Sequence, residues 1–293
     1  MVDEKKPRST SERGTLYLVA TPIGNLEDMT YRAVRVLGEV PLIAAEDTRH
    51  TRELLTHFDI HTRLTSYHEH NKMEKGLELI DWLETGHDLA CVSDAGLPAI
   101  SDPGADLARE AIAHGIRVVP VPGANAALTA LIASGLSTER FSFVGFLPPV
   151  KAKAKRRELL DDVRAHRETL IFYEAPHHLK STLADILDAF GDRRAVLCRE
   201  LTKKFEEFRR GTIKSLLDTL DENEQRGEFV IIVEGSSGDE VEQDAAASKE
   251  TPEVIVAELM AKGINKKDAM REAAKRLNIS RRDVYQALLK AGE

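Results

Sequence analysis

Two α/β domains followed by a small C-terminal helical appendage is the fold class this sequence predicts, and three observations carry it. Short β-branched or apolar runs alternate with segments of helical period along most of the chain. Between Phe146 and Lys155 two adjacent prolines, Pro148 and Pro149, break that rhythm, since they can continue neither a helix nor a central strand. After Gly235 the apolar runs stop, and a small, acidic stretch gives way to a basic segment of purely helical period. At 293 residues the chain is long enough for two ordinary domains.

Residues 1–13 are charged, lack the apolar stretch of a signal peptide, and are expected to be a disordered tail. Five runs then predict strands: Gly14 to Ala20, Val40 to Ala45, Arg63 to Tyr67, Asp88 to Ser93 and Arg117 to Val121. The helices between and after them fall at about Tyr31 to Leu37, Thr48 to His57, Asn71 to Glu84, Pro103 to His114 and Asn125 to Ser134. Residues 14–147 are therefore expected to form an N-terminal α/β domain with a largely parallel sheet.

Residues 148–235 predict a second α/β domain. Its strands lie near Thr169 to Tyr173, Ala195 to Glu200, Phe205 to Thr212 and Glu228 to Val233, with helices at about His177 to Phe190 and Ile213 to Asn223. Phe205 to Thr212 is polar and reads as antiparallel, which makes this sheet mixed. Residues 236–252 read as an acidic linker and 253–293 as a basic helical appendage. Its helices are Val254 to Ala261, Lys266 to Leu277 and Arg281 to Leu289, the last capped by Ser280.

Composition narrows the function. Hydrophobic residues at 42% exclude a wholly disordered chain, and aromatics at 5% argue against a broad base-stacking platform. A net charge of −8 confines any nucleic-acid contact to local basic patches. Cys91 and Cys198 each sit in an apolar run and read as buried thiols rather than a disulfide or metal site. No run approaches the roughly 20 apolar residues of a membrane helix, and a cytoplasmic protein without membrane contact is expected. His68 and His70 have strand spacing but no third ligand partner, so no metal is expected. His177 and His178 read as cap or surface residues.

Three turn-rich stretches each follow a strand of the first domain: Ala20-Thr-Pro-Ile-Gly-Asn25, Ser93-Asp-Ala-Gly-Leu-Pro-Ala-Ile-Ser-Asp-Pro-Gly104 and Val121-Pro-Gly-Ala-Asn125. The carboxyl ends of parallel strands share one edge, so these turns are expected to converge on a single crevice. None of them is a Walker phosphate loop or a Gly-x-Gly-x-x-Gly dinucleotide turn, which disfavours nucleoside triphosphate hydrolysis.

These stretches, with Ala45-Glu-Asp-Thr-Arg49, Phe172-Tyr-Glu-Ala-Pro176 and Arg199-Glu-Leu-Thr-Lys203, resemble the tetrapyrrole methylase superfamily, and within it the branch that methylates small-subunit ribosomal RNA. The resemblance runs from about Gly14 to Gly235. It implies two α/β domains of the tetrapyrrole methylase type, a class III methyltransferase, with S-adenosylmethionine held between them. Carried over by position, Asp94, Ala95, Gly96 and Ser101 would hold the methionine end, Gly123, Ala124 and Asn125 would close the pocket floor, and Pro22 would also bind the cofactor. Tyr173, Glu174, Leu201, Thr202 and Glu228, with the backbone near Gly227, would hold adenosine. The implied reaction is methylation of a cytidine ribose 2′ oxygen in the decoding region of 16S ribosomal RNA, free or in the small subunit, by a homodimer.

A ribose hydroxyl is a weak acid, so the reaction needs a base or a cation close to it. Glu46, Asp47, Arg49 and Lys203 are the candidates, although Asp47 also reads as an N-cap for the following helix. Lys151, Lys153, Lys155, Arg156 and Arg157 form a basic patch suited to phosphate contacts. Residues 262–290 hold nine Lys or Arg against three Asp or Glu, which reads equally as an RNA-gripping appendage or a solvated helical unit. Two alternatives stay open: a methylase of a corrin precursor, and a non-catalytic RNA-binding protein.

Overall fold

The computed structural model describes residues 13–102, 104–220, 227–237, 252–277 and 279–290. All five strands expected in the first half form: β1 (Thr15–Val19), β2 (Leu42–Ala45), β3 (Arg63–Ser66), β4 (Leu89–Val92) and β5 (Arg117–Val121). They pair in the order β3-β2-β4-β1-β5, every pair parallel. Helices α1 (Tyr31–Glu39), α2 (Thr48–His57), α3 (Lys72–Glu84) and α4 (Gly104–Ala113) connect them.

Side-chain alternation along each strand divides the core. Leu16, Leu89 and Cys91 pack with Leu79 and Leu83 of α3 and Leu107 of α4. Val19, Ala90 and Val92 pack instead with Val36 and Leu37 of α1 and Leu55 of α2. Because both faces are covered, β2 and β4 are apolar at every position, the signature of a buried parallel strand. Both cysteines are buried free thiols, and burial pushes each up to about 12, so they remain protonated apolar fillers.

The second sheet contains β6 (Phe141–Phe146), β7 (Thr169–Glu174), β8 (Arg194–Arg199), β9 (Glu207–Thr212) and β10 (Phe229–Val233), in the order β6-β7-β10-β8-β9. Only the β6–β7 pair is parallel, so the sheet is mixed, with β9 antiparallel at one edge as its polar pattern predicts. Helices α7 (Leu179–Phe190) and α8 (Ile213–Asp218) follow β7 and β9.

Strand β6 and helix α6 (Lys153–Val163) are not anticipated by the sequence reading. Phe-Ser-Phe-Val-Gly-Phe does alternate, but its register slips between Phe143 and Gly145, which blurs the period. Its pairing with β7 means that the chain changes sheets before Phe141, and that the Pro148-Pro149 break follows the first strand of the second sheet instead of separating the sheets.

Helix α5 (Ala126–Ser134) belongs to the first half by sequence but packs on the second sheet. Its Ala127, Ala130 and Leu131 cluster with Ile171, Val196, Cys198, Val230 and Ile232. Accordingly the described residues up to Asp161 form one compact unit with Glu168–Glu234. Asp162–Arg167 and the described residues from Gly235 onward form a second. That second unit holds α9 (Pro252–Ala261), α10 (Lys266–Arg276) and α11 (Arg281–Lys290) around Ile255, Val256, Leu259, Ala273 and Val284. Asn265 caps α10, and Ser280 Oγ accepts the Asp283 N–H at 3.2 Å as the expected cap of α11. The expected N-terminal tail, except Arg13, and most of the acidic linker lie outside the described residues. No described helix is long and apolar enough to cross a membrane.

Phe172, fully buried at the centre of β7, gives the fold its first test. Phe172→Ala is expected to lower the unfolding free energy by about 3–5 kcal/mol, read from urea unfolding at constant m-value. A loss under about 1 kcal/mol would mean that this sheet is not packed as described.

Candidate active site

The turns at the ends of β1, β4 and β5 are fastened to one another by main chain. Ala20 N–H donates to Val121 O at 3.1 Å, Thr21 N–H donates to Gly96 O at 2.9 Å, and Gly96 N–H returns to Thr21 O at 3.1 Å. Two glycines permit that approach. Gly96 has φ +80°, and a Cβ on Gly123 would lie 2.8 Å from the Ala20 Cβ. Asn125 closes the β5 turn by capping α5, its Oδ1 accepting the Leu128 N–H at 2.9 Å.

Where these turns face the second sheet they enclose a cavity of ≈ 450 Å³, within the usual range for a small-molecule site. Ile23, Asp94, Gly96, Ser101 and Asn125 line it from the first sheet, and Tyr173, Glu174, Glu228 and Val230 from the second. Among the residues assigned by resemblance, Asp94, Ala95, Gly96, Ser101, Asn125, Tyr173, Glu174 and Glu228 line the cavity directly. Pro22, Gly123, Ala124, Leu201 and Thr202 do not. Pro22 sits between Thr21 and the lining Ile23, while Leu201 is buried in the cluster that holds Ile23 and Tyr173.

Glu46, Asp102, Ile100, Phe146 and Phe229 also line the cavity. Asp102 stands inside the Ser93–Gly104 run, so its position was readable. Phe146 was hidden because β6 was not anticipated.

The walls differ in chemistry. Tyr173 is half-buried behind Phe143 and Phe146, whose rings meet it edge-on at centroid distances of 4.9 and 5.6 Å, and its hydroxyl accepts the Ala127 N–H at 3.1 Å. With Phe229 and Val230 it makes an apolar wall. Opposite stand Glu46, Asp94 and Asp102. Burial, and then the neighbouring Asp94 carboxylate, push Glu46 above the usual carboxylate range. Burial likewise raises Asp102, against the N–H groups of Ala99 and Gly104 that its Oδ1 accepts at 2.9 and 2.7 Å. Asp102 Oδ2 is buried without a hydrogen-bond partner, a group that a cationic ligand would satisfy.

The other catalytic candidates fall outside the lining. Asp47 caps α2, and the hydrogen bonds from Arg49 hold its carboxyl well below the usual range. The Arg49 side chain is 89% exposed and pairs with Asp47 at 2.8 Å. Lys203 lays its stem over Gly24 and pairs with Glu200 at 3.0 Å and Glu228 at 3.3 Å. Burial works against its charge, but the two glutamates outweigh that and raise it, so Lys203 stays an ammonium beside the lining Glu228.

One member of the expected basic patch is corrected. Arg156 is 3% exposed and hydrogen-bonded internally, so it does not present its charge to a phosphate. Arg157 pairs with Asp161 and Asp188. Lys151, Lys153 and Lys155 are exposed. Among the described residues no cluster of His, Cys, Asp and Glu could hold a metal; the rings of His68 and His70 lie 6.0 Å apart.

The family signature of the Tetrapyrrole (Corrin/Porphyrin) Methylases matches residues 15–217. The chain belongs to this family. Ribosomal RNA small subunit methyltransferase I of Halalkalibacterium halodurans is 51% identical over 97% of this chain and 98% of its own. The protein of the same name from Bacillus subtilis is 50% identical over 94% of each. A solved uroporphyrin-III C-methyltransferase of Thermus thermophilus, complexed with S-adenosylhomocysteine, shares the fold with TM-score 0.53 at 18% identity, covering 75% of this chain and 97% of that one.

For this tetrapyrrole methylase the cofactor the family implies is S-adenosylmethionine, and the cavity suits it. A molecule with an aromatic base at one end and cationic sulfonium and ammonium groups at the other matches an aromatic wall facing three carboxylates, one with an unpartnered oxygen. A Cβ on Gly96 would lie 3.3 Å from Ile23 Cγ2 inside this same lining, a tight contact, and the φ of +80° strains any side chain placed there.

The raised Glu46 has a consequence for stability. Its folded pKa lies above the unfolded value of 4.5, so its share of stability is present below that pH and is lost as pH rises through the folded value. Glu46→Gln removes the charge and keeps an oxygen for the Asp94 N–H. The variant is expected to melt above wild type at pH 7 and to lose that advantage near pH 4. A Tm difference that does not change between these pH values would show that burial does not raise the Glu46 carboxyl.

Proposed function

We propose that this chain is an S-adenosylmethionine-dependent methyltransferase of small-subunit ribosomal RNA, acting on the ribose 2′ oxygen of a cytidine in the decoding region. The observation that carries the reading is the convergence of the β1, β4 and β5 turns on one aromatic and acidic cavity, in a chain whose near-full-length relatives bear that enzyme's name. The resemblance supplies the finer terms: the 2′ oxygen, the cytidine, a cytoplasmic location and a homodimer.

S-adenosylmethionine, when bound, supplies a methyl group already activated by the sulfonium, so the chain's task is chiefly alignment. In this reading Asp94, Gly96, Ser101 and Asp102 grip the methionine end, and Tyr173, Glu174 and Glu228 the adenosine. Glu46 takes the proton of the ribose hydroxyl on its carboxylate. Its raised pKa suits it for this better than Asp47, which Arg49 keeps strongly acidic. Lys203 supplies a fixed positive charge at the rim. Lys151, Lys153 and Lys155 contact phosphates of the RNA.

Four measurements test this. Gly96→Val is expected to abolish calorimetric binding of S-adenosylhomocysteine while the fold survives; unchanged binding would mean the cofactor lies elsewhere. Glu46→Gln is expected to lower kcat by about 10²–10⁴-fold with little change in cofactor affinity, and full activity would remove Glu46 as the base. Lys153→Ala together with Lys155→Ala is expected to reduce the slope of log RNA affinity against log salt by about 1–2; an unaltered slope would free these lysines of any phosphate role. Mass mapping of 16S ribosomal RNA from cells lacking the gene is expected to reveal one missing ribose methyl, and a complete methylation pattern would end the substrate assignment.

A further inference from the structure

Arg156 directly follows three surface lysines and yet is 3% exposed. Its Nε donates to Asp185, its Nη2 to Thr182 Oγ1, and its Nη1 to the carbonyl of Pro148 at 2.9 Å. Guanidinium has no acceptor, so Thr182 must receive that bond and spend its single hydroxyl proton elsewhere. It donates it to Glu174 Oε2, while Glu174 Oε1 accepts the Ala175 N–H at 2.8 Å. Thr182 and Glu174 are both buried, so the chain of bonds from guanidinium to carboxylate is shielded from water.

One end of this chain reaches the cavity, and the other holds the segment that follows a lining residue. Glu174 lines the cavity directly. Pro148 lies two residues beyond Phe146, which lines it from the end of β6 while remaining 56% exposed. One planar fork therefore ties the β7 wall to the segment that leaves β6 and carries Lys151, Lys153 and Lys155. A lysine at this position keeps the charge, but its donors all sit on one nitrogen and lack the spread of the planar fork.

We propose that Arg156 is a positioning residue that fixes Glu174 and the Phe146–Pro148 segment relative to each other, and through them sets the affinity of the cavity for its cofactor. The proposal rests on the methyltransferase reading above. It assigns to the inside of the protein a charge that the sequence pattern assigns to RNA.

The test uses the full chain with Arg156→Lys and Thr182→Val, singly and combined. Each single variant is expected to weaken S-adenosylhomocysteine binding by about tenfold, a change of about 1.4 kcal/mol. KM for S-adenosylmethionine should rise with kcat nearly unchanged. The double variant should be no weaker than the worse single one, because both break the same link. The salt dependence of RNA binding should match wild type.

A salt slope reduced by about 1 in Arg156→Lys, with unchanged cofactor affinity, would make Arg156 a phosphate contact and overturn the proposal. Unchanged cofactor affinity in Thr182→Val would overturn it as well, and that variant decides alone if Arg156→Lys fails to fold, since it removes one hydroxyl and leaves the arginine–aspartate pair intact. A wild-type chain that binds no S-adenosylhomocysteine would instead sink the methyltransferase reading itself.

Discussion

Beyond the last ladder bond of a parallel sheet the main chain still has donors and acceptors to satisfy, and how this protein satisfies them determines whether it has a site at all. The exchange of N–H groups between Thr21 and Gly96, with the bond from Ala20 to Val121, extends pairing past the strands into the turns. Thr21 Oγ1 adds a bond to Ser93 O at 3.2 Å. These bonds are local to each turn's neighbours, but together they hold loops from three strands in fixed register at one edge. The cavity is the space left between that stitched edge and the second sheet, and its lining is set by which residues follow the stitches: Ile23, Asp94 to Ser101, and Asn125.

The same edge carries a strain that only a rigid frame sustains. Among the described non-glycine residues, positive φ occurs at Ala99, Ser101, Glu200 and Thr202 as well as at Asp59. The first two lie in the long turn after β4, where Ser101 lines the candidate site, and the next two in the turn after β8. Such conformations cost on the order of 1–3 kcal/mol each and persist where surrounding bonds overdetermine them. Here Asp102 Oδ1 captures the N–H groups of Ala99 and Gly104, and Glu206 Oε2 captures that of Thr202 at 2.7 Å. Strain held in this way shapes the pocket before any ligand arrives, which matters for a reaction that depends on alignment.

Much of this was legible because the periodicities were strong. Residues such as Ile43 and Ala44 announce a strand buried on both faces, and the three glycine- and proline-rich turns could share an edge only if the sheet was parallel. What escaped had weak or ambiguous local signals. β6 was masked by a register slip at Gly145 and by the two prolines after it. The packing of α5 on the second sheet is a tertiary choice: a run as uniformly apolar as Ala126–Ser134 names no side of its own. Charge was the least readable property. Asp47 and Arg49 look like catalytic groups but spend themselves on each other, and Arg156 has neighbours in sequence that are exposed while it is not. Whether a charge faces solvent depends on partners 26 and 29 residues away, Thr182 and Asp185, which no window of the sequence contains.

That distinction between spent and available charge bears on how an acidic protein meets a polyanion. With a net charge of −8, the long-range field opposes RNA, and only cations without internal partners offset it locally. On α6 the arginines are engaged, Arg156 in the interior and Arg157 with Asp161 and Asp188, whereas Lys151, Lys153 and Lys155 project from the same segment. The division follows from the chemistry of the two side chains. A planar fork with fixed directions suits a buried junction of several acceptors, while a flexible, well-hydrated ammonium suits a phosphate backbone met in solution. The segment after β6 can therefore belong to two tasks at once, anchored inward through its arginine at Pro148 and Thr182 and open outward through its lysines. Any RNA held by those lysines is held by a piece of chain whose other contacts reach the cavity wall.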